Sequence, residues 1–173
     1  MATNLELKAR ITSAAGAQEC ARRLGAAYQG VLHQRDTYFR VAAGRLKIRE
    51  IRGSAAELIW YERDESTSER WSRYERVAIA DPAPLLRVLA GACGTLAVVE
   101  KDRSLYLYGS ARIHLDEVSG LGAFLEFEIV GEEPDASRSA MRSLRDAFGI
   151  RDTDVVRGSY SDLILAKRTG GET

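Results

Sequence analysis

Charged side chains recur at every second position in four short stretches of the chain. In LELKAR the series is Glu6, Lys8 and Arg10; in GRLKIRE it is Arg45, Lys47 and Arg49. In ARIHLD it is Arg112, His114 and Asp116, and in AFLEFEIV it is Glu126 and Glu128, with Phe124 on the same parity. This period puts each series on one face of a β-strand. The other face then carries Leu5 and Leu7, Leu46 and Ile48, Ile113 and Leu115, and Leu125, Phe127 and Ile129. Two arrangements account for the pattern. A sheet with one solvated and one packed face alternates in this way. A sheet curled into a barrel with its charged faces inward does so too, and makes a concave site with cations for an anion and carboxylates for a hard divalent metal. Ordinary solvated faces mix charge with Thr, Ser and Gln, whereas these are almost all Arg, Lys and Glu. The period alone leaves both arrangements open.

The remaining chemistry-bearing residues are few. His33 and His114 are the only histidines, too few for a His-rich metal site, and no Ser or Cys sits in a nucleophile motif. Covalent catalysis is not expected. Gly120-Leu121-Gly122 matches neither a phosphate loop nor a dinucleotide fingerprint and reads as a turn between strands. Cys20 and Cys93 fall in helix-like stretches and read as small buried apolar residues in a reducing compartment, not as disulfide or zinc ligands.

The elements that must position the charged faces are short strands near 4–10, 36–41, 44–51, 57–64, 71–79, 96–103, 104–109, 111–118 and 123–131. In WSRYERVAI, parity separates Arg73 and Glu75 from Tyr74 without saying which face points inward. Helices are expected after the caps Ser13 and Asp81, over PDASRSAMRSLRDAFG, and from about Ser159 to Lys167. Met141, Leu144 and Phe148 form a helical stripe that reads as core or as a cover for the sheet. Many consecutive strands with few helices predict an antiparallel α+β domain.

Composition narrows the partners. The 173 residues carry 25 Lys and Arg against 25 Asp and Glu, with 45% apolar residues, and the isoelectric point is near 6.8. Such a balance removes the electrostatic footing of a general nucleic-acid binder, so any anion site must be local. No window approaches the roughly 20 apolar residues that span a bilayer, and the N-terminus lacks a signal-peptide core, so a cytoplasmic protein is expected. One domain over residues 1–169, followed by a disordered tail at 170–173, is the simplest organisation. A sheet edge left unclosed would leave room for a homodimer.

The ordered motifs resemble the CYTH superfamily, which takes its name from CyaB-type (class IV) adenylyl cyclases and thiamine triphosphatase. NLELKAR is similar to the Glu-x-Glu-x-Lys signature. QRDTYF, with Gln34, Asp36, Tyr38 and Phe39, then GRLKIRE, LIWYERD, VVEKDR, ARIHLDEVSGLGAFLEFEIV and SYSDLI resemble later motifs in order. The resemblance spans about residues 4–165 and is closest in style to the CyaB branch.

It implies an antiparallel eight-stranded barrel, a triphosphate tunnel with helices packed outside. It also implies a divalent-metal-dependent enzyme acting on a small-molecule polyphosphate, with Mg²⁺ or Mn²⁺, no nucleic acid and no membrane. The carried-over catalytic residues are Lys8, Arg63 and Arg112. Substrate-binding roles go to Lys47, Arg49, Lys101, Arg103, Tyr61 and Tyr160, and metal-binding roles to Glu6, Asp116, Glu126 and Glu128.

The leading reaction is conversion of ATP to cyclic AMP and pyrophosphate. The alternatives are a triphosphatase acting on inorganic, nucleoside or thiamine triphosphate, a diphosphate-ester lyase or cyclase, and a non-catalytic polyphosphate-binding module. For the diphosphate ester, Tyr38, Tyr61, Phe124 and Trp71 could favour an organic cation; the same rings could stack on a base. The chain departs from the signature at Asn4, which stands where the first glutamate would be, and a neutral amide oxygen holds Mg²⁺ less strongly than a carboxylate.

Overall fold

The computed structural model describes residues 2–63, 69–131 and 133–169. Eight strands, β1 (Ala2–Arg10), β2 (Ala27–Phe39), β3 (Arg45–Ile51), β4 (Ala56–Arg63), β5 (Arg70–Ile79), β6 (Thr95–Tyr108), β7 (Ala111–Val118) and β8 (Gly122–Val130), close into an antiparallel barrel. The strand order is β1-β5-β4-β3-β2-β6-β7-β8. Four helices accompany it: α1 (Ala14–Arg23), α2 (Pro82–Cys93), α3 (Pro134–Ala147) and α4 (Tyr160–Thr169). The expected tail at 170–173 lies outside the described residues.

The charged faces turn inward, so the second of the two arrangements is the one adopted. The apolar faces turn outward and need cover. On β1, β7 and β8, Leu5, Leu7, Ile113, Leu125, Phe127 and Ile129 are buried beneath Ala17 and Ala21 of α1 and Met141 and Leu144 of α3. The main hydrophobic core therefore lies between the barrel wall and these helices, and the stripe read on α3 is its cover. Phe127 meets Phe148 edge-on at 5.2 Å between ring centres. Ser13 caps α1 by accepting from the Gly16 amide, and Asp81 caps α2 by accepting from the Ala83 amide, as side-chain oxygens do for orphan donors at helix starts.

A second apolar cluster closes one end of the barrel. Tyr38, Tyr61, Val99, Val118 and Phe124 pack there with Tyr160, Leu163 and Ile164 of α4. Short turns join β2 to β3 and β7 to β8 at that end. Gly44 turns the chain from β2 to β3 at φ 67°, and a Cβ there would lie 2.8 Å from the Tyr61 carbonyl oxygen, so no other residue fits without movement.

Several local expectations are corrected. Residues 95–108 form one strand where two were expected, and β2 begins at Ala27 instead of near residue 36. Cys20 is buried, its thiol donating to the Ala147 carbonyl at 3.1 Å; Cys93 is only half-buried, because α2 buries none of its residues. Among the described residues the barrel has no free edge, which removes the edge argument for a dimer. No helix among them is long and apolar enough to cross a membrane.

Candidate active site

Antiparallel register decides which charges meet. β1 and β8 place Glu6 opposite Glu128 and Lys8 opposite Glu126. β2 and β3 place Asp36 opposite Arg49, and β6 and β7 place Arg103 opposite Asp116. Apart from the two aspartates, these side chains converge on a cavity of about 540 Å³ along the barrel axis, walled by Lys8, Lys47, Arg49, Arg63, Arg76, Lys101, Arg103 and Arg112 and by Glu6, Glu57, Glu126 and Glu128. Tyr61 and Tyr160 line it as well. Ser72, Tyr74 and Arg76 of β5 face inward; Arg73 therefore points out, where it donates to Glu62 at 3.1 Å, and Glu75 shares its face. Trp71 belongs to the outer core and is not one of the rings facing the tunnel.

Two aspartates sit behind the cations and hold them. Asp36, 1% exposed, accepts from Arg49 Nε at 2.7 Å and Arg49 Nη2 at 2.8 Å, and from Lys47 Nζ at 2.8 Å. Asp116, also 1% exposed, accepts from Arg103 Nε at 2.7 Å and Nη2 at 2.6 Å. The Tyr160 hydroxyl donates to it at 2.7 Å, and Lys101 Nζ lies 3.7 Å away. Asp116, expected among the metal carboxylates, thus spends its oxygens on Arg103, Tyr160 and Lys101 and is not part of the cavity wall. Asp36, visible in the sequence only as a motif residue, does the same for Lys47 and Arg49.

The glutamates at the wall are paired more loosely; Glu57 lies 3.6 Å from Arg76, and the other three cluster on β1 and β8. Glu126 is 3.3 Å from Lys8 and 3.2 Å from Arg103, with His114 Nδ1 at 3.3 Å. Glu6 is 3.4 Å from Arg63, and Glu128 is 3.3 Å from Arg112. Asn4 Nδ2 donates to Glu128 at 2.6 Å, leaving the Asn4 side-chain oxygen buried with no hydrogen-bond partner. Lys8 and Lys101 also lie 3.9 Å and 4.9 Å from the centre of the Tyr160 ring, whose π-face favours cations.

Burial sets the protonation. It pushes the Lys101 ammonium down to about 7, with Arg103 adding to the effect, and Lys47 down to about 8, with Arg49 adding. Burial lowers Lys8 and His114 as well. It also works to raise Asp36, Asp116 and Glu126, but the neighbouring cations, Arg49 for the first and Arg103 for the other two, overcome it and hold them below ordinary carboxylates. Glu6 goes the other way, raised by burial and by the nearby Glu126 charge.

No group of three His, Cys, Asp or Glu side chains among the described residues is gathered as a metal cage. The donor set nonetheless suits a hard divalent ion. Three carboxylates and a buried amide oxygen with no partner are oxygen ligands of the kind Mg²⁺ and Mn²⁺ take, usually one or two carboxylates with substrate and water completing the shell.

The CYTH domain model matches residues 2–160. The chain belongs to the CYTH family. CYTH proteins are cyclases or triphosphatases, and the chain is an enzyme of one of these kinds. Among solved structures, the Pyrococcus horikoshii OT3 protein PH1012 superposes with a TM-score of 0.85 at 21% identity, over 92% of this chain and 98% of its own. A candidate adenylate cyclase from Vibrio parahaemolyticus gives 0.74 at 21% identity, over 94% and 97%. The Hippeastrum candidate adenylyl cyclase HpAC1, described as having a dominant triphosphatase activity, gives 0.62 at 17% identity, over 87% and 89%. At these identities the likeness is one of fold. Comparison with curated proteins gives no match.

Proposed function

We propose that the tunnel is the active site of a cytoplasmic, divalent-metal-dependent enzyme that takes a polyphosphate ester by its phosphate tail, with a class IV adenylyl cyclase reaction on ATP as the leading chemistry. One observation carries the reading: eight Lys and Arg side chains from six strands face one cavity, four of them held from behind by buried aspartates. That is a preorganised cradle for several phosphates, since the cations need not move to bind. Arg49 and Arg103 offer forked donors and Lys47 and Lys101 point charges. Inside a tunnel that excludes most water these contacts weigh more than on a surface.

Glu6, Glu126 and Glu128 are the residues that would hold Mg²⁺ or Mn²⁺, with the Asn4 oxygen as a neutral neighbour. A bound ion would neutralise charge on the phosphoryl oxygens and on the leaving group. Asp116 is assigned to positioning Arg103. Lys8, Arg63 and Arg112 each stand beside a wall glutamate, as Arg103 does beside Glu126, but unlike Arg103 none of the three is held by a buried aspartate. In the cyclase reaction the 3′-hydroxyl oxygen of ATP bonds to the α-phosphorus, its proton goes to water, and the bond to the β-phosphate bridge breaks. Pyrophosphate leaves with the electron pair. Lys8, Arg63 and Arg112 would spread the charge that develops on that leaving group.

A triphosphatase, in which water attacks the terminal phosphorus, would use the same cradle. Phosphorus NMR of the protein with ATP, inorganic triphosphate and thiamine triphosphate, each with Mg²⁺ and with Mn²⁺, separates the two. Pyrophosphate with cyclic AMP from ATP is the expected result, with Arg103→Ala inert. Orthophosphate would turn the assignment to a triphosphatase, and three intact substrates would overturn the catalytic reading for them.

A further inference from the structure

The tunnel wall changes character along β6. Lys101 and Arg103 are followed on the same inward face by Leu105 and Leu107, and β2 and β3 contribute Leu32 and Ile51 beside them. Phosphates gain nothing from this leucine-rich wall. At the boundary between the cationic and apolar walls stands Gln34, paired in register with Lys101 on β6 and Ile51 on β3. It is 6% exposed and lines the cavity, and its side-chain oxygen is buried with no hydrogen-bond partner. A buried acceptor left without a donor carries its full desolvation penalty, so such an atom points to a donor that arrives with a ligand. The metal-side glutamates lie on β1 and β8, and β1 is four strands from β2 either way around the barrel, so Gln34 looks across the tunnel from them.

We propose that Gln34 is a specificity-determining residue that reads the organic end of the substrate. Its carbonyl oxygen accepts a hydrogen bond from a hydroxyl or amino group placed close to the first phosphate, while Leu32, Ile51 and Leu105 bury the apolar part of the same group. The substrate class that follows is a phosphate-tailed ester with a donor-bearing ring or sugar, in preference to inorganic triphosphate or a purely hydrocarbon diphosphate. This rests on the reading of the tunnel as a polyphosphate site. Neutral amide recognition suits the position, since a carboxylate at residue 34 would compete with the tail for Lys101.

The test is calorimetric binding without divalent cations, so that turnover does not intervene, using inorganic triphosphate, ATP and thiamine triphosphate with the wild type, Gln34→Met and Arg103→Ala. Methionine keeps the volume and removes the acceptor. The expected result is that the wild type prefers at least one ester over inorganic triphosphate, that Q34M weakens that ester about tenfold, and that inorganic triphosphate is unchanged. For ATP, 2′-deoxy, 3′-deoxy and 6-deamino analogues probe the donor directly in the wild type. One of them should lose the same factor, and that loss should vanish in Q34M.

If Q34M does not fold, the analogue series decides alone: equal binding of the esters, the analogues and inorganic triphosphate overturns the proposal. A uniform loss for all three ligands in Q34M, or an intact preference, overturns it too. Tight, Arg103-dependent binding of inorganic triphosphate beside a silent Gln34 removes only this inference. If nothing binds in an Arg103-dependent way, the polyphosphate reading falls and this inference with it.

Discussion

Arg103 and Asp116 meet through two parallel hydrogen bonds of 2.7 and 2.6 Å, with Asp116 almost wholly removed from water. Such a pair is expensive to break from one side, because the partner stays behind as an uncompensated buried charge. Asp116→Asn keeps the shape and removes the charge, and should cost about 3–5 kcal/mol in urea unfolding. The affinity for Mn²⁺, followed by electron paramagnetic resonance, should change little. A stable variant with much weaker Mn²⁺ binding would return Asp116 to the metal ligands.

Acid should unfold the protein through its held carboxylates. Asp36, Asp116 and Glu126 lie below their ordinary values, so the unfolded chain takes up protons first as the pH drops. Their contribution is fully present above about pH 5 and drains away as the pH falls below about 4. Glu6, raised by burial, works in the opposite direction and only partly offsets the three. Urea midpoints between pH 3 and pH 7 should fall steeply at the acid end; a flat profile there would contradict the pairings.

Binding of a phosphate tail should take up protons near pH 8. Burial pushes Lys101 down to about 7 and Lys47 down to about 8, and an anion beside them favours their charged forms. Affinity for ATP should therefore decline as the pH rises through this window. Calorimetry in buffers of different ionisation enthalpy should report net proton uptake, and its absence would mean the tail does not reach these lysines.

Asn4→Glu should trade stability for metal affinity. The new carboxylate would face Glu128, whose oxygen now accepts from the Asn4 amide at 2.6 Å, and like charges there repel. A lower thermal midpoint in chelator is expected, recovered by Mn²⁺, together with about tenfold tighter Mn²⁺ binding from the added charged ligand. Unchanged Mn²⁺ affinity would place the ion away from residue 4.

Phe127→Ala supplies the contrast from the other side of the wall. Phe127 is completely buried under α3, so its truncation should cost about 3–5 kcal/mol. Binding of inorganic triphosphate to the fraction that remains folded should stay within a few-fold of wild type.

The strand faces were legible because alternation is written residue by residue, while their inward sense came only with the family that the ordered motifs resemble. Other features were not, for identifiable reasons. Residues 96–109 read as two strands because the inward side chains change from Lys101 and Arg103 to Leu105 and Leu107, a change in polarity with no turn beneath it. Residues 27–35, most of β2, went unread because their side chains are mostly exposed and the ladder shifts register between Tyr28 and Gly30, which blurs the period. The roles of Asp36 and Asp116 depend on what lies behind the cations, and that is set by pairing between strands. Gln34 could have been found only by asking which polar atom the fold leaves unmatched.

Across the barrel wall the cations and carboxylates satisfy one another: Lys8 with Glu126, Arg63 with Glu6, Arg112 with Glu128. On the proposed reading an incoming phosphate tail would enter by exchange, taking over basic partners and releasing glutamate oxygens. Those freed oxygens are the ones suited to a divalent ion, and an ion seated on them would in turn loosen the cations for the tail. Tail and metal would then be thermodynamically linked, each raising the affinity for the other by the same factor whichever arrives first.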